Sequence, residues 1–381
     1  MREKIAKKLE KIKKDGRFRE IPEMQSGAGR FILKGERMLL NLGSNNYLGL
    51  SERKELVSEA VSAVQAFGCS SGASRVVTGN YSLYGDLERE TAIFKNTEDA
   101  LVINTGFTAN LLIMSSLADR NTVVFSDKLN HASIIDGIRM SGAKHVRYRH
   151  NDMDDLALLM EKYSAVEDKI LITDTVFSMD GDCADLVRIV ELCREHGVFL
   201  IVDEAHATGV FGEGRGYAHH LGLASEIDLH MGTFSKALGS FGAYIAGDRL
   251  ILDYLRNTGR AFIFTTSLPP AVIGADFAAL SWVMNNPEAG GVLLEKSSDL
   301  RNVLQGMGFD TAESATQIIP VIIGGNEDTL RMRERLEELD IAVGAVRPPT
   351  VPEGSARLRL SMRLDLTEED LDRIKDAFGR L

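Results

Sequence analysis

Short apolar runs recur along the first three quarters of the chain, separated by stretches with helical spacing of apolar and polar positions. The runs "ALVINTG" (100–106), "TVVFSD" (122–127), "HVRYRH" (145–150), "KILITDTVF" (169–177), "VFLIVDEA" (198–205), "DLHMGTF" (228–234) and "GAYIAG" (242–247) predict strands. Between them lie helical patterns such as "ADLVRIVELCREHG" (184–197). There Leu186, Ile189, Val190 and Cys193 share a face, and Gly197 supplies a C-terminal cap. Apolar strands alternating with helices imply an α/β fold with a mostly parallel central sheet covered by helices on both faces. After "FTTSLPPAVIGA" (264–275) the character changes. Strands in "TQIIPVIIGG" and "ARLRLSMR" mix with helices in "TLRMRERLEEL" and "EEDLDRIKDAF", and "RPPTVPEG" forms a proline-restricted loop. The predicted organisation is an N-terminal helix and strand segment (1–45), a large α/β domain (46–275) and a smaller C-terminal α+β domain (276–381).

Composition narrows the function. The 381 residues carry a net charge of −11, which argues against nucleic acid as a general partner. Cys69, Cys183 and Cys193 form neither a CxxC pair nor a metal-binding spacing, and few cysteines without a secretory segment fit a reduced, cytoplasmic setting. The apolar stretch "AVIGADFAALSWVM" is too short to span a bilayer and contains Asp276. In the lysine-rich N-terminus, Ile5, Leu9 and Ile12 recur at helical spacing, which predicts a solvated helix packing one face on the body rather than binding a membrane.

The polar residues "NTGFTAN", "DEAH" and "GTFSK" all fall at the carboxyl ends of predicted strands, where parallel sheets bind ligands. Lys236 is the one charged amine in a setting of small and hydroxyl residues. A phosphate-loop lysine would need GxxxxGK[ST], which "GTFSKALG" does not match, and no GxGxxG follows the first strand. Covalent catalysis explains more. A lysine made neutral by partial burial can form a Schiff base with pyridoxal 5'-phosphate, which also needs an Asp facing its ring nitrogen and donors for its phosphate. Asp203 ends one strand at the same edge. Gly106 opens a helix whose amides suit a phosphate, and Thr233 and Ser235 add hydroxyls. Taken singly, these residues have plainer readings: His131 as a structural histidine, Asp203 as a helix cap, Arg359 as half of a surface ion pair, Ser178 and Thr233 as turn residues.

The segments "TDTVFSMDGD", "VDEAHATGVFGEGRG", "GTFSKALGSFGAY", "NLGSNNYLGL", "GCSSGASRVVTGN" and "LNHASIIDGIRMSGA" resemble the α-oxoamine synthases, and the resemblance covers nearly the whole chain from about residue 17. These are fold-type-I pyridoxal-phosphate enzymes that join an amino acid to an acyl thioester and lose CO2. The resemblance implies that Lys236 holds the cofactor and moves the Cα proton, with Asp203 at the pyridinium nitrogen. It puts His206 at the ring 3-oxygen and His131 on the ring face. Ser178 and Thr233 become further cofactor contacts, with Gly106 and Phe107 at the phosphate. It assigns Asn45 and Arg359 to the amino-acid carboxylate. It also implies a homodimer with the site at the interface, in which Thr265 or Thr266 reaches the partner's phosphate.

Within the family, Arg19 and the "RPPTVP" loop with Thr350 resemble the branch that uses a pimeloyl thioester and L-alanine in biotin synthesis, the acyl group carried by CoA or an acyl carrier protein. A distal carboxylate on the acyl chain would call for a cation such as Arg19. Tyr84, where the family often has His, and Arg75, shared with the glycine- and serine-using branches, leave acetyl-CoA with glycine as the alternative pair.

Overall fold

Seven strands of five or six residues form the central sheet, and their burial explains their composition. In the computed structural model, which describes residues 1–381, the strands lie in the order Asp99–Ile103, Ala243–Gly247, Leu229–Thr233, Phe199–Asp203, Lys169–Asp174, Val123–Asp127, Lys144–Tyr148. Six run parallel to one another, and only Ala243–Gly247 runs against its neighbours. Successive side chains point to opposite faces. Ile170, Ile172 and Ile201 therefore join one core with Leu112, Ile113 and Met231, while Leu171, Leu200 and Val202 join a second core with Leu186, Ile189 and Phe125. Burying each such side chain contributes about 1.5–3 kcal/mol. With both faces covered, the strands read as continuous apolar runs rather than alternating ones.

The chain divides into two contact units. The larger comprises Leu50–Ser178 and Cys183–Gly291 and contains the seven-stranded sheet. The smaller comprises Met1–Gly49, Met179–Asp182 and Val292–Leu381. In it, Ala356–Ser361 pairs antiparallel with both Ile318–Gly324 and Gly344–Val346, and a hairpin of Phe31–Lys34 and Arg37–Asn41 turns at Gly35, φ +62°. The helix Glu368–Phe378 begins in a capping box, with Thr367 accepting from the Asp370 amide and Asp370 accepting from the Thr367 amide.

Two expectations are corrected. The large unit continues to Gly291 rather than ending at residue 275, because the helix Pro270–Asn285 buries Ile273, Ala279, Leu280 and Val283 and packs on the helices Lys54–Phe67 and Ser82–Lys95. Pro270 there starts a helix, where its missing N–H costs nothing. The N-terminal helix Arg2–Lys14 forms but buries no residue, and Ile5, Leu9 and Ile12 stay exposed rather than packing on the body. No helix is long and apolar enough to cross a membrane.

Candidate active site

At the carboxyl ends of the parallel strands, a cavity of about 230 Å³ is lined by Gly106, Phe107, Asn110, His131, Asp203, His206, Thr233 and Lys236, together with Thr105, Ser133, Asp174, Ala205, Met231 and Ser235. A larger cavity, about 470 Å³, is lined by Thr122, Lys169 and Phe199 near the opposite strand ends. None of the candidate catalytic or binding residues lines it.

The polar side chains at the back of the smaller cavity are held by local structure. Asp203 ends its strand, is 3% exposed, and accepts from the Ala205 amide at 2.9 Å and from Asn110 Nδ2 at 2.8 Å. Asn110 Nδ2 also donates to Ser133 Oγ at 2.9 Å, and Ser133 Oγ lies 2.8 Å from His131 Nδ1. His131 caps the helix Ala132–Ser141, its ring nitrogen accepting from the Ser133 amide, while its own amide donates to Asp174 at 2.7 Å. A chain of contacts thus runs from Asp203 through Asn110 and Ser133 to the imidazole. The Phe107 ring meets that imidazole edge-on, centroids 6.4 Å apart.

Charge follows the same geometry. Burial pulls the His131 imidazole below its usual range; the Asp203 carboxylate opposes this and the Lys236 ammonium adds to it. Burial, and then the neighbouring Asp203 carboxylate, push Asp174 well above the usual carboxylate range. These shifts favour the neutral ring of His131 and the protonated form of Asp174.

The donor set fits pyridoxal phosphate. Thr105 caps the helix Gly106–Leu117 by accepting from the Thr108 amide at 3.0 Å, which leaves the first-turn amides of Gly106 and Phe107 without helical acceptors. Such amides at a helix N-terminus suit a phosphate. A Cβ at Gly106 would stand 2.8 Å from Thr233 Cγ2, so this approach is open only to glycine. Asn110 Oδ1, fully buried in the wall, has no partner within the chain. A buried carboxyl, a neutral imidazole and one lysine complete the set.

The other expected residues fall elsewhere. Ser178 belongs to the large unit but does not line the cavity, and Thr265 stands outside it with its hydroxyl 3.4 Å from Asn104 Nδ2. In the smaller unit, Arg359 is 7% exposed and donates to Asn45 Oδ1 at 3.0 Å, Ser361 Oγ at 2.7 Å and Tyr47 Oη at 3.2 Å. This fixes a planar guanidinium suited to a carboxylate. Arg19 and Thr350 are exposed in the same unit. Asn110, Ser133 and Asp174 are cavity residues that the sequence reading did not assign. The available signal was a polar residue on a helix whose other core-facing positions, Ala109, Leu112, Ile113 and Met114, are apolar.

Behind Asp203, Glu204 points away from the cavity into a fully buried cluster. Lys95 Nζ donates to its Oε2 at 2.5 Å, the Ala218 amide to Oε1 at 2.9 Å, and His230 Nδ1 lies 3.2 Å away. Burial alone would raise the Glu204 carboxyl, but Lys95 and then His230 more than offset it and leave it lowered. His219 places Nε2 3.1 Å from the Lys95 carbonyl, and burial lowers its pKa to about 4. Lys95→Met would leave a buried carboxylate without its cation. The expected cost is about 3–5 kcal/mol, read as a lower denaturant midpoint at unchanged m-value; an unchanged midpoint would show that the pair holds nothing together.

The protein-family model "Aminotransferase class I and II" matches residues 37–378. A curated relative from Bacillus cereus, named "Putative 8-amino-7-oxononanoate synthase", is 46% identical over 369 residues, covering 96% of this chain and 93% of its own. Among solved structures, the serine palmitoyltransferase of Sphingomonas wittichii matches with a TM-score of 0.94 at 30% identity, covering 99% of this chain and 95% of that one. The 8-amino-7-oxononanoate synthase of Francisella tularensis matches with a TM-score of 0.77 at 27% identity, covering 90% and 97%. Serine palmitoyltransferase structures that contain pyridoxal phosphate match at a TM-score of 0.93.

Proposed function

The chain belongs to the class I and II aminotransferase family as an α-oxoamine synthase, an acyltransferase that depends on pyridoxal phosphate, and we propose that it condenses L-alanine with a pimeloyl thioester to give 8-amino-7-oxononanoate, CO2 and the free carrier thiol. The observation that carries this choice of substrates is the near-full-length identity with the Bacillus relative of that name. The acyl carrier is CoA or an acyl carrier protein.

When bound, pyridoxal phosphate supplies an aldehyde that captures an amine and a cationic ring that draws electron density from the captured amino acid's Cα. The residues proposed to hold it are Gly106 and Phe107 at the phosphate, Asp203 at the ring nitrogen, His131 on the ring face, and His206, Ser178 and Thr233 at its remaining polar groups. Asp203 suits its role because two hydrogen bonds fix its carboxyl and burial strengthens its field. A neutral His131 can lie against a cationic ring without repulsion. Lys236 Nζ takes the proton from the alanine Cα and returns one after CO2 has left. Arg359 and Asn45 take the amino acid's carboxylate, Arg19 the distal carboxylate of the acyl chain, and Thr350 contacts the substrate. We propose further that the protein works as a homodimer in which Thr265 serves the partner's phosphate.

A second reading, a member that uses glycine or serine with another acyl-CoA, is favoured by Arg75 and by the higher TM-score to serine palmitoyltransferase than to the Francisella enzyme. Thiol release separates the two, measured for pimeloyl-, acetyl-, succinyl- and palmitoyl-CoA, each with alanine, glycine and serine. The proposal expects pimeloyl-CoA with alanine to exceed every other pair by at least about tenfold, the scale of pocket discrimination. A preference for acetyl-CoA with glycine, or palmitoyl-CoA with serine, would contradict it while leaving the family assignment intact.

A further inference from the structure

The helix Pro270–Asn285 carries one acid among its buried positions. Asp276 is fully buried, and neither carboxyl oxygen meets a hydrogen-bond partner. Buried polar groups are nearly always paired, so an orphaned carboxyl demands a reason. What it faces is the loop that carries Lys236: the Ser240 hydroxyl and the Phe241 amide lie against it, short of hydrogen-bonding geometry. Gly242 follows with φ +101°. A Cβ there would stand 3.1 Å from Leu268 Cδ1, 3.4 Å from the Ile103 carbonyl and 3.6 Å from Asp276 Oδ2, so this glycine adjoins the acid.

The loop is closed on itself. Phe234 N–H donates to Gly242 O at 3.1 Å, Ser240 N–H to Phe234 O at 3.0 Å and Gly239 N–H to Lys236 O at 2.9 Å. A shift of Ser240–Gly242 therefore reaches Phe234–Lys236 through these bonds. We infer that Asp276 is a positioning residue, setting the placement of Lys236 through the turn Ser240–Gly242. The inference rests on the reading of Lys236 as the cofactor's lysine.

Charge gives the device its sense. Burial holds the Asp276 carboxyl well above the usual carboxylate range, against opposition from Ser240 and Phe241, which favours its neutral form. No ionised group compensates it. On the helix Ser82–Lys95, Glu88 is turned to Arg75 and the Val102 amide, and Lys95 to Glu204. On the helix Lys54–Phe67, Lys54, Glu55 and Glu59 are exposed. The one charge on the loop itself is Lys236. Once ionised, the carboxylate would draw the Phe241 N–H and the Ser240 hydroxyl toward it, and the turn, with the lysine beyond it, would move.

The test compares wild type, Asp276→Asn and Asp276→Leu as full-length holoenzymes from about pH 6 to about pH 10. It reads the absorption band of bound pyridoxal phosphate, its dissociation constant and kcat/KM. Asp276→Asn, which cannot ionise, should match wild type within about twofold at neutral pH and lose an alkaline fall of about tenfold per pH unit that wild type shows. Asp276→Leu should weaken cofactor affinity already at neutral pH. Melting supplies a second readout. The native-state pKa lies above the unfolded value, so ionisation of the unfolded chain opposes folding above about pH 4. Asp276→Asn should therefore gain melting temperature over wild type as pH rises, showing that the acid is kept at a cost in stability. Superimposable pH profiles and cofactor spectra for all three proteins would overturn the inference. So would a Lys236→Ala variant retaining the wild-type band, but that result would fault the assignment of the lysine rather than the coupling to Asp276.

Discussion

Lys236→Ala is expected to lower turnover by at least about 10⁴-fold, the upper range for loss of a positioned acid–base group, and to abolish the absorption band of lysine-bound pyridoxal phosphate. The reason is positional. Lys236 is the only lysine in the cavity wall, shared with Asp203 and His131, so no second amine stands ready to replace it. It is half-buried in a loop closed by backbone bonds that do not involve its side chain, so the variant should fold and melt close to wild type. Steady-state rates, a cofactor spectrum and a melting curve on one preparation check all three parts. A variant keeping a tenth of the wild-type rate would remove Lys236 from the chemistry.

Asp203→Asn is expected to be nearly as severe, about 10³-fold in kcat/KM, the scale set by loss of one preorganised electrostatic partner. The substitution is isosteric but fits badly. The carboxylate now accepts from Asn110 Nδ2 and from the Ala205 amide, and an amide side chain must turn its own NH2 toward one of these donors. The variant therefore loses the charge and gains a donor–donor conflict in a buried site. Pyridoxal phosphate should dissociate more readily from it, which equilibrium dialysis measures. Unchanged retention and rate would mean that the ring nitrogen is served elsewhere.

Much of the fold was legible because the sheet is buried on both faces. Runs such as "VFLIVDEA" have no polar face to confuse with a helix, and the structure begins and ends these strands within a few residues of the apolar runs. The boundary between units was less legible for a physical reason. "SLPPAV" reads as a break, yet Pro269 and Pro270 only start a helix whose apolar side packs inside the large unit. At the N-terminus, Ile5, Leu9 and Ile12 gave the helix correctly; periodicity reports that a stripe exists, not that anything covers it.

The cavity shows the same division. Lys236, Asp203, His131, Thr233 and Gly106 stand at strand ends or helix starts, where the topology itself gathers polar residues. Asn110 and Ser133 act one contact further back, on helix faces that a linear pattern assigns to packing. Asp174 lies directly across from Asp203 on the adjacent strand, a pairing that needs the strand register, which the sequence alone does not supply. Asp276 is harder still, since its relation to Lys236 runs through a turn more than thirty residues away along the chain.

The most direct measurement is to reduce the holoenzyme with borohydride, digest it and locate the pyridoxyl group by mass spectrometry. The account predicts one modified peptide, with the label on Lys236. A label on any other lysine, or none above background in protein that carries stoichiometric pyridoxal phosphate, would contradict it.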